Sequence, residues 1–209
     1  MRRRFVIGVV IILAIAGASI FWVWHAHREV TVLQEGSVVK GGQYEAVSSM
    51  IKTESIPSDW KTYKNDHIKV ALRYPKEMFT QEYESQGIFY VGFGLWGPTQ
   101  KDGTELFDGI GLNIWREAYS TNQTFETFIE QKRKDQVGSS NTPVSPAVPV
   151  QIAGHDGSVF DVEGLGGGVN MYIPLGHGEV IGIDYKASDP KSIGFQHIVD
   201  QMLGSLVIE

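Results

Sequence analysis

Polar and apolar residues fall along this chain in three regimes. From Phe5 to Trp24 there is neither a charge nor a proline, and about 20 such residues, rising 1.5 Å each, just cross a ~30 Å hydrocarbon core. From His25 to Ser58 the apolar residues are scattered. HAHREVTVLQE extends the first helix outward, Gly36 stops it, and Gly41, Gly42, Ser48, Ser49 and Pro57 mark a tether. From Asp59 to Glu209 strand-like alternation dominates, over a length of about 150 residues that suits one compact domain.

Within that third regime, Trp60 to Tyr63 and Ile68 to Tyr74 read as strands either side of a turn at Asn65 and Asp66, with Pro75 closing the second. GIFYVGFGLW, Gly87 to Trp96, is apolar on both faces, as expected of a central strand, and Gly92 and Gly94 call for something packed close. Ile110, Leu112 and Ile114 alternate with Gly111, Asn113 and Trp115 in the next strand. Thr124 to Val137 places Phe125, Phe128, Ile129 and Val137 on one helical face, with Asn122 or Thr124 as N-cap and Gly138 past the end. Two hairpins follow the proline-rich Ser139 to Pro149. One joins Val150–Ile152 to Ser158–Val162, and the other joins Met171–Ile173 to Val180–Tyr185. Asp189 and Pro190 open a last helix with Ile193, Phe195, Ile198 and Met202 toward the core, and Ser205 to Ile208 ends the domain as a short strand. Short links between strands predict an α+β fold on an antiparallel sheet.

Charge orients the first regime. Arg2, Arg3 and Arg4 belong on the cytoplasmic side, and Trp22 and Trp24 suit the far interface. The expected layout is a cytoplasmic cap at 1–4, a transmembrane helix at 5–24, a helix extension and linker at 25–58, and an extracytoplasmic domain at 59–209. A cleaved signal peptide is the competing reading, with Ala14, Ile15 and Ala16 supplying the peptidase site. Cleavage there would leave Ile20, Phe21, Val23 and two tryptophans exposed to water, which favours an uncleaved anchor. A pilin-type N-terminus would carry a glutamate in the apolar run, and a lipoprotein would carry a cysteine; the sequence has neither. With no cysteine, disulfides, thiolate metal sites and cysteine nucleophiles are excluded together. Setting the three arginines aside leaves 15 basic residues against 24 acidic ones. Nucleic acid and anionic lipid are poor partners for such a surface.

The run WKTY, then IKVALRYPKEM, the FETFIEQKRK helix, the QIAGHDGSVF hairpin and the closing DPKSIGFQHIVDQMLGSLVI resemble small anchored extracytoplasmic bacterial proteins. Their soluble part is similar to the PsbP fold, named for an extrinsic subunit of photosystem II. The resemblance covers Asp59 to Glu209 and implies an antiparallel sheet with helices on both faces, an α/β/α sandwich, in a binding or assembly role without catalytic residues.

Candidate chemistry is sparse, and no residues are assigned to catalysis or to a cofactor. His25 and His27, two apart, fall on different faces of a helix and suit no single metal. His155 with Asp156, and His177 with Glu179, sit at two hairpin tips and would hold zinc or a similar ion only if those tips met. Asp161, Glu163 and Asp184 would make an acid and base pair if one were buried, against the simpler reading of a solvated strand face. GLGGG, Gly164 to Gly168, follows a strand without a helix after it and reads as a turn rather than a phosphate loop. Trp96 and Trp115 would form a contact patch for carbohydrate, peptide or protein if the glycines left them on an open face. The expectation is a non-catalytic binding or assembly module, held to the bilayer through its N-terminal helix and meeting an envelope protein or ligand. The alternative is a metal-assisted envelope hydrolase.

Overall fold

Alternation in the third regime becomes strands in the structure, a computed structural model that describes residues 55–140, 143–164 and 167–209. In chain order these are β1 (Lys61–Asn65), β2 (Val70–Tyr74), β3 (Phe79–Ser85), β4 (Ile88–Trp96), β5 (Gly109–Ala118), helix α1 (Phe125–Ser140), β6 (Val148–Ile152), β7 (His155–Val162), β8 (Gly168–Gly176), β9 (Glu179–Ser188), helix α2 (Phe195–Gly204) and β10 (Val207–Ile208). The expected membrane span and most of the tether lie outside the described residues. Among the described residues no helix is long and apolar enough to cross a membrane.

Seven strands form one antiparallel sheet in the order β3-β4-β5-β9-β8-β7-β6. Its register sets two faces, because alternate residues point opposite ways. On the first face Val91, Ile114 and Ile183 pair in a row, and with Phe93, Leu112, Ile110, Ile173 and Ile181 they make a core closed by Phe195, Val199, Met202 and Leu203 of α2. On the second face Trp115, Phe160, Tyr172 and Val180 meet Phe128 and Ile129 of α1. The expected sheet with a helix on each face is therefore present.

Several sequence expectations need correction. The strands β1, β2 and β10 do not join the large sheet; they form a separate three-stranded one whose Val70 and Leu72, with Ile68 in the turn before β2, pack into the first-face core beside α2. The strand β3 was not foreseen, because FTQEYES is an exposed edge with no buried residue to give it a period. Helix α2 begins at Phe195 rather than at Asp189, and Ile193 is 49% exposed instead of in the core. The Asp189 carboxylate serves that helix from outside, accepting the N–H groups of Ile193, Gly194 and Phe195. Helix α1 continues past Gly138 to Ser140, with Thr124 as its N-cap and Val137 turned to solvent.

Candidate functional site

Helix α1 covers the second face incompletely. Its contact residues Phe128 and Ile129 lie over Trp115 and Tyr172, and Lys132 adds a 2.6 Å ion pair to Glu117, whose other oxygen accepts the Trp115 indole N–H at 2.8 Å. Gly182 is what lets Trp115 lie flat on the sheet, since a Cβ there would stand 2.2 Å from the ring. Beyond this apolar half, the same parity of each strand turns polar. Asn113, Asp184 and Asn170 sit side by side in the register of β5, β9 and β8.

These three residues floor an open cleft of ≈ 420 Å³. One wall is Leu106 with Glu105 at the rim, another is Val162 with Gly167 and Gly168, and Gln136 of α1 closes the third side. The loop carrying Leu106 is held from within. Gln100 Oε1 accepts the N–H groups of Phe107 and Asp108, and the fully buried Asp108 carboxylate takes both the N–H and the hydroxyl of Thr99, at 2.7 and 2.6 Å.

The floor is a hydrogen-bonded line. The Tyr83 hydroxyl donates to Asn113 Oδ1 at 3.2 Å, and Asn113 Nδ2 donates to Asp184 Oδ1 at 2.8 Å. Among the described residues Asp184 makes no ion pair, and the Asn170 amide, 8% exposed, has no hydrogen-bond partner. Burial pushes the Asp184 carboxyl above its ordinary range, with the Asn113 hydrogen bond opposing part of that rise. Tyr83 rises as well, through burial first and the Asp184 charge second. In Tyr172 the same two influences act with Glu117 between them. A carboxyl held among these groups accepts hydrogen bonds when ionised and can donate one when protonated.

The sequence candidates scatter around this cleft. His155 and Asp156 open β7 just after a turn at Ala153 and Gly154, and His177 with Gly178 forms the β8–β9 turn; all four turn residues have positive φ. Both turns lie at one end of the sheet, yet Glu179 is bound to Arg116 at 2.7 Å and Asp156 to Gln151 at 3.0 Å. Among the described residues no three His, Asp or Glu side chains form a metal-binding group. Asp161 pairs with Val169 and so points to the face opposite Asp184, which keeps those two carboxylates apart. Asp184 itself is not on a solvated face, because α1 and the Leu106 loop rise on either side of it.

The two tryptophans also part company. Trp115 is 5% exposed under α1, whereas Trp96 is 53% exposed, its ring 5.0 Å from that of Phe79. The glycine expectation holds at Gly94, where a Cβ would meet the Phe79 ring at 2.0 Å. Asn113 and Asn170 were missed at the sequence level. Their signal was parity: each is a polar residue two positions before a buried aromatic on the same face, Trp115 or Tyr172. A second groove, ≈ 460 Å³, runs between α1 and β6–β7, but its polar lining, Glu126, Glu130 and Asp156, is exposed and offers no buried group to a ligand.

No protein-family profile matches the chain, and no curated protein matches it in sequence. Its fold does have a counterpart. The solution structure of cyanobacterial PsbP from Synechocystis sp. PCC 6803 aligns with a TM-score of 0.52 at 12% sequence identity, over 74% of this chain and 95% of that one. The domain has a PsbP-like fold, as the sequence resemblance implied.

Proposed function

We propose that this chain is a non-catalytic binding module, presented outside the cytoplasm by an N-terminal membrane anchor, with the cleft over Asp184 as its ligand site. The observation that carries the reading is Asn170, an amide nine-tenths buried on the floor of an open cleft with no protein partner among the described residues. Its donors and acceptor open onto the cleft rather than onto protein, so a ligand can take them in place of water. The anchor is supported by the uncharged run from Phe5 to Trp24 behind Arg2–Arg4. The hydrolase alternative has no comparable support, since the carboxylates proposed for its metal are engaged elsewhere.

A photo-crosslinking amino acid at the exposed rim position Glu105, introduced into the full chain in intact cells, tests the site. Adducts of defined mass should form and should disappear when Asn170→Leu is added. Adducts that persist unchanged, or none at all, would rule the cleft out. An alkaline phosphatase fused to the C-terminus reports the side of the membrane: activity is expected, and an inactive fusion places the domain in the cytoplasm.

A further inference from the structure

The chemistry of the cleft, once it is read as the ligand site, narrows what enters it. Its volume falls within the about 300–1,000 Å³ usual for small-molecule sites. The Asn170 amide offers two donors and an acceptor, and Asp184 keeps one oxygen free of protein partners. A cationic ligand would satisfy the carboxyl and leave the Asn170 N–H groups facing positive charge. An anionic ligand would face Asp184 and Glu105 together. Lys186 at the mouth has a contact of its own. Hydroxyl groups, which give and accept at once, suit every group on the floor.

A second observation extends the site along the same face. Leu106 lies across Gly111 and Gly109 as a low ridge. Gly109 pairs with Trp96, and Phe79 pairs with Gly94, so the two exposed rings stand on the cleft side of the sheet. Two residues along β5 and one strand across put Trp96 roughly 7 Å along and 4.8 Å over from the cleft wall. These exposed rings, tilted 57° to each other, offer their apolar faces to C–H groups.

We infer that the cleft and the Phe79–Trp96 pair are successive subsites for a neutral polyhydroxylated chain, an oligosaccharide. One sugar sits on Asn170 and Asp184, and the next units cross Leu106 to lie against Trp96. The inference rests on the cleft being the ligand site, and its test separates the two. Calorimetric titration of the full chain in mild detergent with neutral linear oligosaccharides of one to four units should show affinity rising with length. Asn170→Leu should abolish binding at every length. Trp96→Ala, on the surface and tolerant to folding, should keep the single-unit affinity and lose about tenfold of the gain from added units. Asp184→Asn, which keeps shape, guards against a misfolded Asn170→Leu and should weaken all lengths. Putrescine and tetramethylammonium serve as cationic competitors. Binding of these in place of the sugars overturns the inference. So does a failure of every oligosaccharide while the Glu105 adduct still forms, an outcome that leaves the cleft standing. Failure of both titration and adduct removes the site as well.

Discussion

Neighbouring residues on one strand meet opposite surroundings here: Leu112 and Ile114 face a core sealed by α2 and the small sheet, while Asn113 between them faces an open cleft. The sealed face is apolar through its centre, from Ile110 to Ile114 and from Ile181 to Ile183, and turns polar only toward its margins at Arg116, Glu179 and Asp161. Its partner is apolar only where α1 covers it, and polar from Asn113 to Asn170 where it does not. A sheet that packs helices on both sides needs both faces apolar for stability alone. The uncovered polar half, which the proposed ligand site would use, gives up part of that stability.

That contrast breaks most sharply under truncation. Leu112→Ala, on the sealed face, should cost about 2–5 kcal/mol of unfolding free energy in a urea titration. A value near zero would mean that this face is not the main core. Lys132→Met comes next, because it leaves the little-exposed Glu117 carboxylate without its cation and loosens α1 at the border of the cleft. A loss of about 1–3 kcal/mol is expected, less than for a fully buried pair because Lys132 is partly solvated. Hydrogen exchange should show the change concentrated in α1.

The Asp184 carboxyl allows a signed test. Burial raises its folded-state pKa above the ordinary 3.8, so the folded chain holds the proton more tightly than the unfolded one. The stability this group contributes is complete below 3.8 and is lost as pH rises through the raised value. Asp184→Asn should then melt higher than the parent at pH 7, with the gap closing as pH falls toward 3.8. A gap independent of pH would place the carboxyl in water. The smallest effect belongs to Asn170→Leu, which exchanges an unpartnered amide for an apolar group of similar size. Its stability should stay within about 1 kcal/mol of the parent or exceed it, and a large loss would reveal a structural role for the amide.

Legibility in the sequence followed the same division. The strands β4, β5 and β9 were readable because their sealed-face residues, Ile110, Leu112, Ile114, Ile181 and Ile183, repeat every second position. The two hairpins were readable from Gly154 and Gly178, since two-residue turns need positive φ. The strand β3 had no such repeat, lying at an edge where Gln81, Glu82 and Glu84 are all exposed. The separate small sheet was hidden because β10 pairs with β2 from the far end of the domain, and no local pattern carries that distance. Ile193 misled because its helical spacing falls before the Gly194 left-handed turn, where the helix has not begun. For the cleft, three polar residues on three strands acquire meaning only through register. Asn113 next to Trp115 reads as a solvated position until α1 is seen to stop short of it.

The pairing of β2 with β10 sets the last strand beside the first hairpin: Lys64 reaches Glu209 at 2.9 Å, and the Glu209 N–H donates to the Lys69 carbonyl. Such a domain is suited to circular permutation, with a linker long enough to run back along β1 from Glu209 to Lys61 and new ends opened at the exposed Gly103 turn. It also sets an order of events during synthesis. While the ribosome is still adding residues, β2 has one neighbour in β1 and an empty edge on its other side, and the small sheet is finished by the segment made after all the other strands.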